Sequence, residues 1–362
     1  MKIVIAHNWS DEGISAQSKK LAEHLSLKHQ VIFFSHTSIG ASFLKISSNL
    51  SIYNWKGKRP TTWADFKLLF QVLRNFRPNV VIGHFGASTL LAITAWLLRV
   101  PSRIETYHTV YLPLVLDSKQ PFWRFWLQVK RKSLLYRLNT QIFPITEFGI
   151  NDLNRYYKVP KSMCHAMPNG LPDQPLRNNY THLTQLRFLG RLDMCKGVDI
   201  LVEAVALVVE QIPAIKLEIA GSGPQLENLQ QTVQQKGLTQ VVQFVGKIPY
   251  HKVAEFLSNA TWLIIPSRMD NHPTVIMEAF SCGTPVIGAN NGGIPEMICN
   301  GVDGFIYKKD SPHELANTIL MALATADCRK MGVAARGKFE TKYHIDRYID
   351  RMETKILQLT TQ

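Results

Sequence analysis

The residues best suited to chemistry lie in the second half of this 362-residue chain. The densest run is Pro266 to Pro285, in which Asp270 and Glu278 stand eight positions apart. It reads as a strand, a polar loop, a helix starting near Thr274, and then Gly283 before the next strand. A helix beginning there turns free backbone N–H groups and the positive end of its dipole toward the loop, which suits phosphate. Asp270 then sits in the loop and Glu278 about one turn into the helix. The two carboxylates need not touch, and they fit two hydroxyl-binding tasks better than one acid/base pair. The bland alternative is a capping Asp and a surface Glu, but Met277, Ala279 and Phe280 around Glu278 argue against exposure.

A second constellation is Gly190-Arg191-Leu192-Asp193-Met194-Cys195-Lys196-Gly197, which follows a strand and leads into a helix. Arg191 can grip an anion bidentately and Lys196 can act as a point charge, a pairing that suits a diphosphate. The alternative is a turn with two solvated cations. Ala220-Gly221-Ser222-Gly223-Pro224 is a further strand-to-helix turn, more simply read as a plain turn. No glycine turn carries the G-x-G-x-x-G and distal acid of a dinucleotide fold, and the first loop, Asn8 to Gly13, lacks it too.

The elements needed to place these residues recur along the chain. Lys2 to Ala6 is a buried strand, Gln17 to Leu27 a helix and Gln30 to Phe34 a strand; Trp63 to Phe76, Asn79 to Gly83 and Ala87 to Leu98 repeat the alternation. Turn chemistry at Pro168-Asn169-Gly170-Leu171-Pro172-Asp173 and the polar stretch Gln174 to Gln185 read as a domain boundary and linker. A second βα series runs from Leu186 to Gly288, and the tail from Ser311 to Leu359 reads as helical. The expected fold class is α/β, with two tandem doubly wound Rossmann-like domains facing a central cleft. The expected divisions are 1–173, 174–340 and a C-terminal helix, 341–362, packing back toward the first domain.

Composition narrows the classes. Hydrophobic residues make up 46% and charged residues 19%, which excludes a mostly disordered chain. Five cysteines without a C-x-x-C pair exclude a disulfide scaffold and read as thiols in a reducing compartment. The first apolar run meets His7 and Asn8 almost at once, too early for a signal-peptide core, and the longest later run, Thr89 to Leu98, is half of what a spanning helix needs. A cytoplasmic protein without a transmembrane helix is expected. The net charge of +14 is uneven: residues 1–173 hold 22 Lys and Arg against 9 Asp and Glu. That asymmetry suits an acidic partner, with solubility alone as the alternative. Between Lys119 and Leu138, Phe122, Trp123, Phe125 and Trp126 alternate with Arg124 and precede Lys130, Arg131 and Lys132. This density suits a helix lying at an anionic membrane surface, against the alternative of a helix that packs its aromatics inward. No nucleic-acid module accompanies the charge.

The motifs Gly190-Arg191-Leu192-Asp193 with Lys196-Gly197, Ala220 to Pro224, Phe244-Val245-Gly246, Pro266-Ser267, Glu278-Ala279 with Cys282-Gly283-Thr284-Pro285-Val286, and Gly292-Gly293-Ile294-Pro295-Glu296 occur in one order. In that order they resemble the family 4 retaining glycosyltransferases of GT-B fold, specifically over the second half and more loosely over the first. The resemblance implies transfer of a sugar from a nucleoside diphosphate sugar, with a UDP-sugar favoured over a GDP-sugar, to a glycan or lipid-linked acceptor in cell-surface polysaccharide, lipopolysaccharide or glycolipid synthesis. It implies that Arg191 and Lys196 hold the diphosphate, that Glu278 binds the ribose and that Asp270 lies near the donor sugar. It also implies that Asn271, His272, Pro273, Thr274 and Val275 supply the loop and helix start, that Gly190 and Gly221 line the donor site, that Gly246 and Lys247 neighbour the base, and that His108 stands beside the transferred sugar. Asp270 makes the pattern D-x7-E rather than E-x7-E. Ser10, Asp11 and Gly13 replace the paired glycines of the family's first loop, the expected acceptor loop. Front-face displacement without an essential metal is the implied mechanism, and a peripheral position at the inner face of the membrane is the expected location. A nucleotide-sugar epimerase and a non-catalytic partner subunit of the same fold remain the alternatives.

Overall fold

A computed structural model describes residues 1–35, 42–56, 62–111, 121–180, 184–325 and 327–360. The chain divides into two units, Met1–Pro172 with Ile345–Gln362, and Asp173–His344. Parts of two sequence expectations, residues 181–183 of the linker and Lys119 and Gln120 before the aromatic helix, lie outside the described residues.

In the first unit the elements follow as β1 (Lys2–Ala6), α1 (Gly13–Ser26), β2 (Gln30–Ser35), β3 (Phe43–Lys45), β4 (Leu50–Asn54), α2 (Trp63–Phe76), β5 (Val80–His84), α3 (Ala87–Leu97), β6 (Ser102–Tyr107), α4 (Phe122–Tyr136), β7 (Gln141–Pro144) and α5 (Glu147–Tyr157). The sheet order is β3-β4-β2-β1-β5-β6-β7, parallel except where the three-residue β3 meets β4. β1 and β5 are buried almost without interruption because helices cover both faces of a parallel sheet. The unit is completed by the last helix, α13 (Ile345–Thr360), introduced here ahead of its place in the chain. Its buried stripe of Ile345, Tyr348, Ile349, Met352 and Ile356 joins Ile3, Leu21 and Phe33 in one core, as a 3.6-residue period requires.

The second unit runs β8 (Gln185–Leu189), α6 (Val198–Val209), β9 (Lys216–Ala220), α7 (Leu226–Gln235), β10 (Val242–Gly246), α8 (Val253–Ser258), β11 (Trp262–Ile265), α9 (Thr274–Cys282), β12 (Val286–Ala289), α10 (Ile294–Met297), β13 (Gly304–Tyr307), α11 (Pro312–Thr325) and α12 (Cys328–Lys338). Its sheet is parallel throughout, in the order β10-β9-β8-β11-β12-β13. The tail is therefore not one helix. A π-helical turn, Phe339–Tyr343, follows α12, and extended His344 (φ −62°, ψ 142°) breaks the run before α13. Tyr343 thus belongs to the second unit, while the helix after it belongs to the first.

In both sheets the chain winds outward from one central strand and then returns to wind the other way, so each has a reversal point, at β1/β5 and at β8/β11. Open sheets of this kind present their ligand crevices at the carboxyl ends of the strands flanking that point.

The turns leaving β8 and β9 touch so closely that a Cβ on Gly221 would lie 1.8 Å from the Gly190 carbonyl oxygen, and Gly221 has φ +143°. Gly237 also has positive φ (+69°) but open surroundings. Gly221→Ala is expected to cost about 2–4 kcal/mol in denaturant unfolding and Gly237→Ala only about 1 kcal/mol. Equal losses would show that crowding does not fix Gly221.

Candidate active site

In the first unit, three strand ends near the reversal point each deliver a histidine: His7 just beyond β1, His84 at the end of β5 and His108 just beyond β6. His7 and His84 stack with ring centroids 4.5 Å apart, and both are buried. Burial pushes His7 down to about 4, and burial with its two histidine neighbours holds His84 well below the usual range. Both rings are therefore neutral at ordinary pH, each with one N–H to donate. The Thr106 hydroxyl donates to the Gly83 carbonyl at 2.9 Å, so its oxygen accepts from His84 Nδ1–H at 2.8 Å. His84 Nε2 is then bare and accepts from Ser18 Oγ–H at 3.3 Å, which leaves the Ser18 oxygen to accept from His7 Nδ1–H at 2.8 Å. His108 Nε2 stands 3.2 Å from the Thr106 hydroxyl and 3.3 Å from His84 Nδ1. Phe85 stacks on His108 at 4.2 Å from a left-handed backbone conformation (φ 50°).

Of this array the sequence reading singled out only His108. Ser18, His84 and Thr106 fall on a helix and strand ends with no spacing that links them, and the parallel register alone brings them together. Gln17 performs a related task one residue earlier. Its side chain donates to Asn169 Oδ1 at 3.0 Å and accepts from Gly170 N–H at 2.9 Å, fastening the turn through which the chain leaves the unit.

The first-loop residues take modest positions. Asp11 is paired with Lys19 at 2.7 Å, Ser10 Oγ accepts from Glu12 N–H at 3.2 Å, and Gly13 is the first residue of α1 rather than a loop residue. On α4, Trp123 and Trp126 are 57% and 49% exposed, and Arg124 and Lys130 lie over their rings. Arg131 is exposed beside them. Lys132 departs from the expected surface group: the helix turns it inward to line a cavity of about 280 Å³ with Glu105, His108 and Tyr136. Among the described residues no helix is long and apolar enough to cross a membrane.

In the second unit the turn after β8 and the loop after β11 meet in one charged cluster. The Arg191 guanidinium, 70% exposed, pairs with Asp193 at 2.5 Å, and the Lys196 ammonium bonds to Asp270. Asp193 also caps the short turn Met194–Lys196, accepting from Lys196 N–H at 3.2 Å. Asp270 is fixed by its backbone, because its carbonyl accepts from Gly293 N–H at 3.0 Å and a Cβ on Gly292 would come within 1.9 Å of that oxygen. Both cations therefore sit on carboxylates, in a place where an anionic ligand would compete with or share those partners. Arg268, a third cation of the loop, is turned away by a two-pronged bond to Asp199 at 2.7 and 2.6 Å.

The helix α9 begins after Pro273 with no side-chain cap, so the first N–H groups at Thr274 and Val275 remain for a ligand or water. Asn271 and His272 before it are buried, His272 edge-on to Tyr343 at 5.7 Å. Glu278 is buried in the second turn, and burial pushes its carboxyl up to about 7. Gly246 ends β10 with φ +73°, its carbonyl accepting from Gly221 N–H at 2.8 Å, and Lys247 beside it is exposed. Of the glycines at 190, 221 and 246, Gly221 is the one held by close backbone approach; a Cβ on Gly190 would meet the Phe188 ring at 3.1 Å, and one on Gly246 would meet nothing within 4 Å. Among the described residues no three His, Cys, Asp or Glu side chains gather as a metal site.

The second half matches the family described as "Glycosyl transferases group 1" over residues 178–338, and the first half matches "Glycosyltransferase Family 4" over residues 12–174. The chain is 28% identical over 331 residues to the amylovoran biosynthesis glycosyltransferase AmsK of Erwinia amylovora, covering 83% of this chain and 79% of that one. It is 31% identical over 158 residues to the D-inositol 3-phosphate glycosyltransferase of Streptomyces griseus, a match to 41% of this chain that spans only 34% of that protein. Among solved structures, HepE of Anabaena, described in complex with UDP and glucose, superposes with a TM-score of 0.77 at 15% identity, covering 99% of this chain and 100% of the other. That likeness shows the fold. Matched over both halves, the chain belongs to the family 4 glycosyltransferases of GT-B fold.

Proposed function

We propose that this transferase moves a sugar, with retention of configuration, from a nucleoside diphosphate sugar to a glycan or lipid-linked acceptor in the synthesis of cell-surface polysaccharide. The observation that carries the donor assignment is the charged cluster in the second unit, where Arg191 and Lys196 stand at the strand ends that flank the reversal point. Preorganised cations and an uncapped helix start favour charge as it builds on a departing diphosphate, and they can do so without a metal ion. A UDP-sugar is the favoured donor, in keeping with HepE, which is described with UDP and with UDP-glucose. Glu278 binds the ribose hydroxyls, Asp270 orients the donor sugar, and Asn271, His272 and Pro273 shape the loop between them. His108 stands beside the transferred sugar. The polysaccharide role is supported by AmsK, named for amylovoran biosynthesis. No side chain is assigned as a nucleophile, and the reaction proceeds by front-face displacement, a donor phosphate oxygen taking the acceptor proton.

The acceptor half works at a membrane surface, inside the cell. Support comes from α4, whose Trp123, Trp126, Leu127 and Leu134 are exposed next to Arg124, Lys130 and Arg131. Aromatic rings at headgroup depth with cations above them are the composition of an interfacial helix.

Thermal shifts with UDP-, GDP- and ADP-sugars, without added metal, test the donor reading, since a ligand of the folded state raises the melting point. UDP-sugars are expected to stabilise the wild type, and Lys196→Ala to keep the fold while lowering nucleotide release about 100-fold. No shift with any donor would overturn the assignment. Glu278→Gln is expected to weaken UDP-sugar binding about tenfold or more. The same variant should stabilise the unliganded protein as pH rises. A buried carboxyl whose folded value is about 7 against an ordinary 4.5 is no burden below pH 4.5 and an increasing one up to pH 7. The gain of the variant should grow across that window to about 3 kcal/mol; a pH-independent difference would show that burial does not raise this carboxyl above its ordinary value. Replacing Trp123, Trp126 and Arg131 together is expected to abolish sedimentation with anionic liposomes and to spare UDP binding. Retained sedimentation would remove α4 from the interface.

A further inference from the structure

The cavity that receives Lys132 lies at the carboxyl ends of β5 and β6, closed by the start of α3 and the end of α4, and is lined by Phe85, Thr89, Glu105, His108, Lys132 and Tyr136 among others. Glu105 is its unusual member. One carboxyl oxygen lies 2.9 Å from Ser88 Oγ, whose single proton it shares with the Phe85 carbonyl at 2.7 Å, and the other accepts from Asn139 Nδ2–H at 2.9 Å. Each oxygen keeps a second lone pair. The residue retains partial exposure although its surroundings are enclosed, and it lines the cavity. Burial pushes its carboxyl up to about 7, and burial also pulls Lys132 down while Glu105 draws it up. A perturbed acid and a perturbed base on one concave surface make the cavity a candidate site.

We propose that this cavity is a subsite for a single neutral sugar ring of the acceptor, with Glu105 accepting from and Lys132 donating to its hydroxyls. The proposal rests on the transferase reading and adds to it where on the first unit the acceptor sugar binds and what chemistry it has. The lining selects the ligand class. A phosphate would set its charge against Glu105, an amine would set its charge against Lys132, and an apolar group would leave the remaining acceptor positions of Glu105 and the donors of Lys132 unused. A pair of neighbouring hydroxyls satisfies both, because each hydroxyl is donor and acceptor at once. Phe85 and Tyr136 add aromatic surface for the apolar edge of a pyranose. At about 280 Å³ the cavity lies at the lower limit for ligand pockets, which fits one ring and not an oligosaccharide. Phe85 is held in a left-handed conformation that costs a non-glycine residue free energy, and strain of that kind collects at ligand clamps. His108, at the rim, touches both this cavity and the histidine array, so a ring bound here lies against the residue placed beside the transferred sugar.

A purely structural role for Glu105, as a tie between Ser88 and Asn139, predicts that a change of charge at constant shape alters stability and nothing else. Saturation-transfer NMR with a panel of methyl pyranosides, run on the full-length protein with and without UDP, separates the two. At least one pyranoside is expected to bind saturably and to compete with the others. Glu105→Gln and Lys132→Met are each expected to weaken that binding tenfold or more, with the UDP-induced thermal shift unchanged. Lys132→Met, on a partly exposed helix face, serves if Glu105→Gln fails to fold, and the UDP shift reports folding for both. Binding of no methyl pyranoside to wild-type protein that responds to UDP, or undiminished binding to both variants, would overturn the subsite. A wild type that binds pyranosides but never responds to a nucleotide would instead overturn the transferase reading and leave the sugar site standing.

Discussion

The second unit of this protein depends on how closely parallel strands bring the turns at their carboxyl ends. β8 pairs with both β9 and β11, so the turns leaving these strands stack on one another with no room for side chains between them. A Cβ would meet backbone oxygen at 1.8 Å on Gly221, 2.4 Å on Gly223 and 2.1 Å on Gly197. Leu192 N–H bonds to the Ser222 carbonyl at 3.0 Å and Arg268 N–H to the Cys195 carbonyl at 2.8 Å, so each turn is the template of the next. Arg191 and Lys196 are carried on a surface whose shape is set by backbone contact, and their positions are correspondingly well defined. That is the preorganisation an electrostatic site needs: charges fixed before the ligand arrives cost nothing to orient when it does.

The two units handle charge in opposite ways. In the second, the cations are compensated by Asp193 and Asp270, while Glu278 is buried where only desolvation acts on it. In the first, burial strips the histidines of charge, and direction is carried by a one-way series of hydrogen bonds from His7 to the Gly83 carbonyl. A neutral array of this kind holds a ring in one orientation without a net field. A charged array would push against cations nearby. Ser18 and Thr106 are the joints of the series, each hydroxyl both giving and receiving a proton bond.

Much of the architecture was legible in the sequence because the elements are short, apolar and punctuated. The strand at Lys2–Ala6 and the helix at Trp63–Phe76 coincide with the expectation residue for residue, the second because Thr62 and Asp65 form a capping box. The edge pair β3 and β4 was not legible: three and five residues of mixed polarity, stabilised by pairing, give no period of their own. The charged cluster of the second unit was readable because its residues follow one another within two loops. The cavity and the histidine array were not, since Glu105, Lys132, His84 and Ser18 come from four elements and meet only through register. Lys132 shows the limit most clearly. In the sequence it is the third of three consecutive cations, and on α4 a rotation of 100° per residue turns it from the face of Arg131 toward the cavity.

That rotation also bears on where the positive charge of the first half acts. The excess over residues 1–173 is +13 by sequence, yet among the residues lining the cavity Lys132 is the one Lys or Arg, and it faces an acid. Buried His7 and His84 are neutral. Among the described residues, Arg124, Lys130 and Arg131 lie exposed outside the cavity, where charges separated by more than a Debye length of about 8 Å are screened from one another. Charge placed there has little influence on bond making. It can act on a large, flat, anionic surface that many cations face at once, with about 1 kcal/mol gained per cation close to such a surface. In the proposed membrane contact, Trp123 and Trp126, exposed on α4 under Arg124 and Lys130, would give that attraction a fixed point of contact. In the proposed enzyme, the same helix would thus present its outer face to the membrane and Lys132 on its inner face to the acceptor sugar, so that binding the surface and receiving the substrate become two sides of one element.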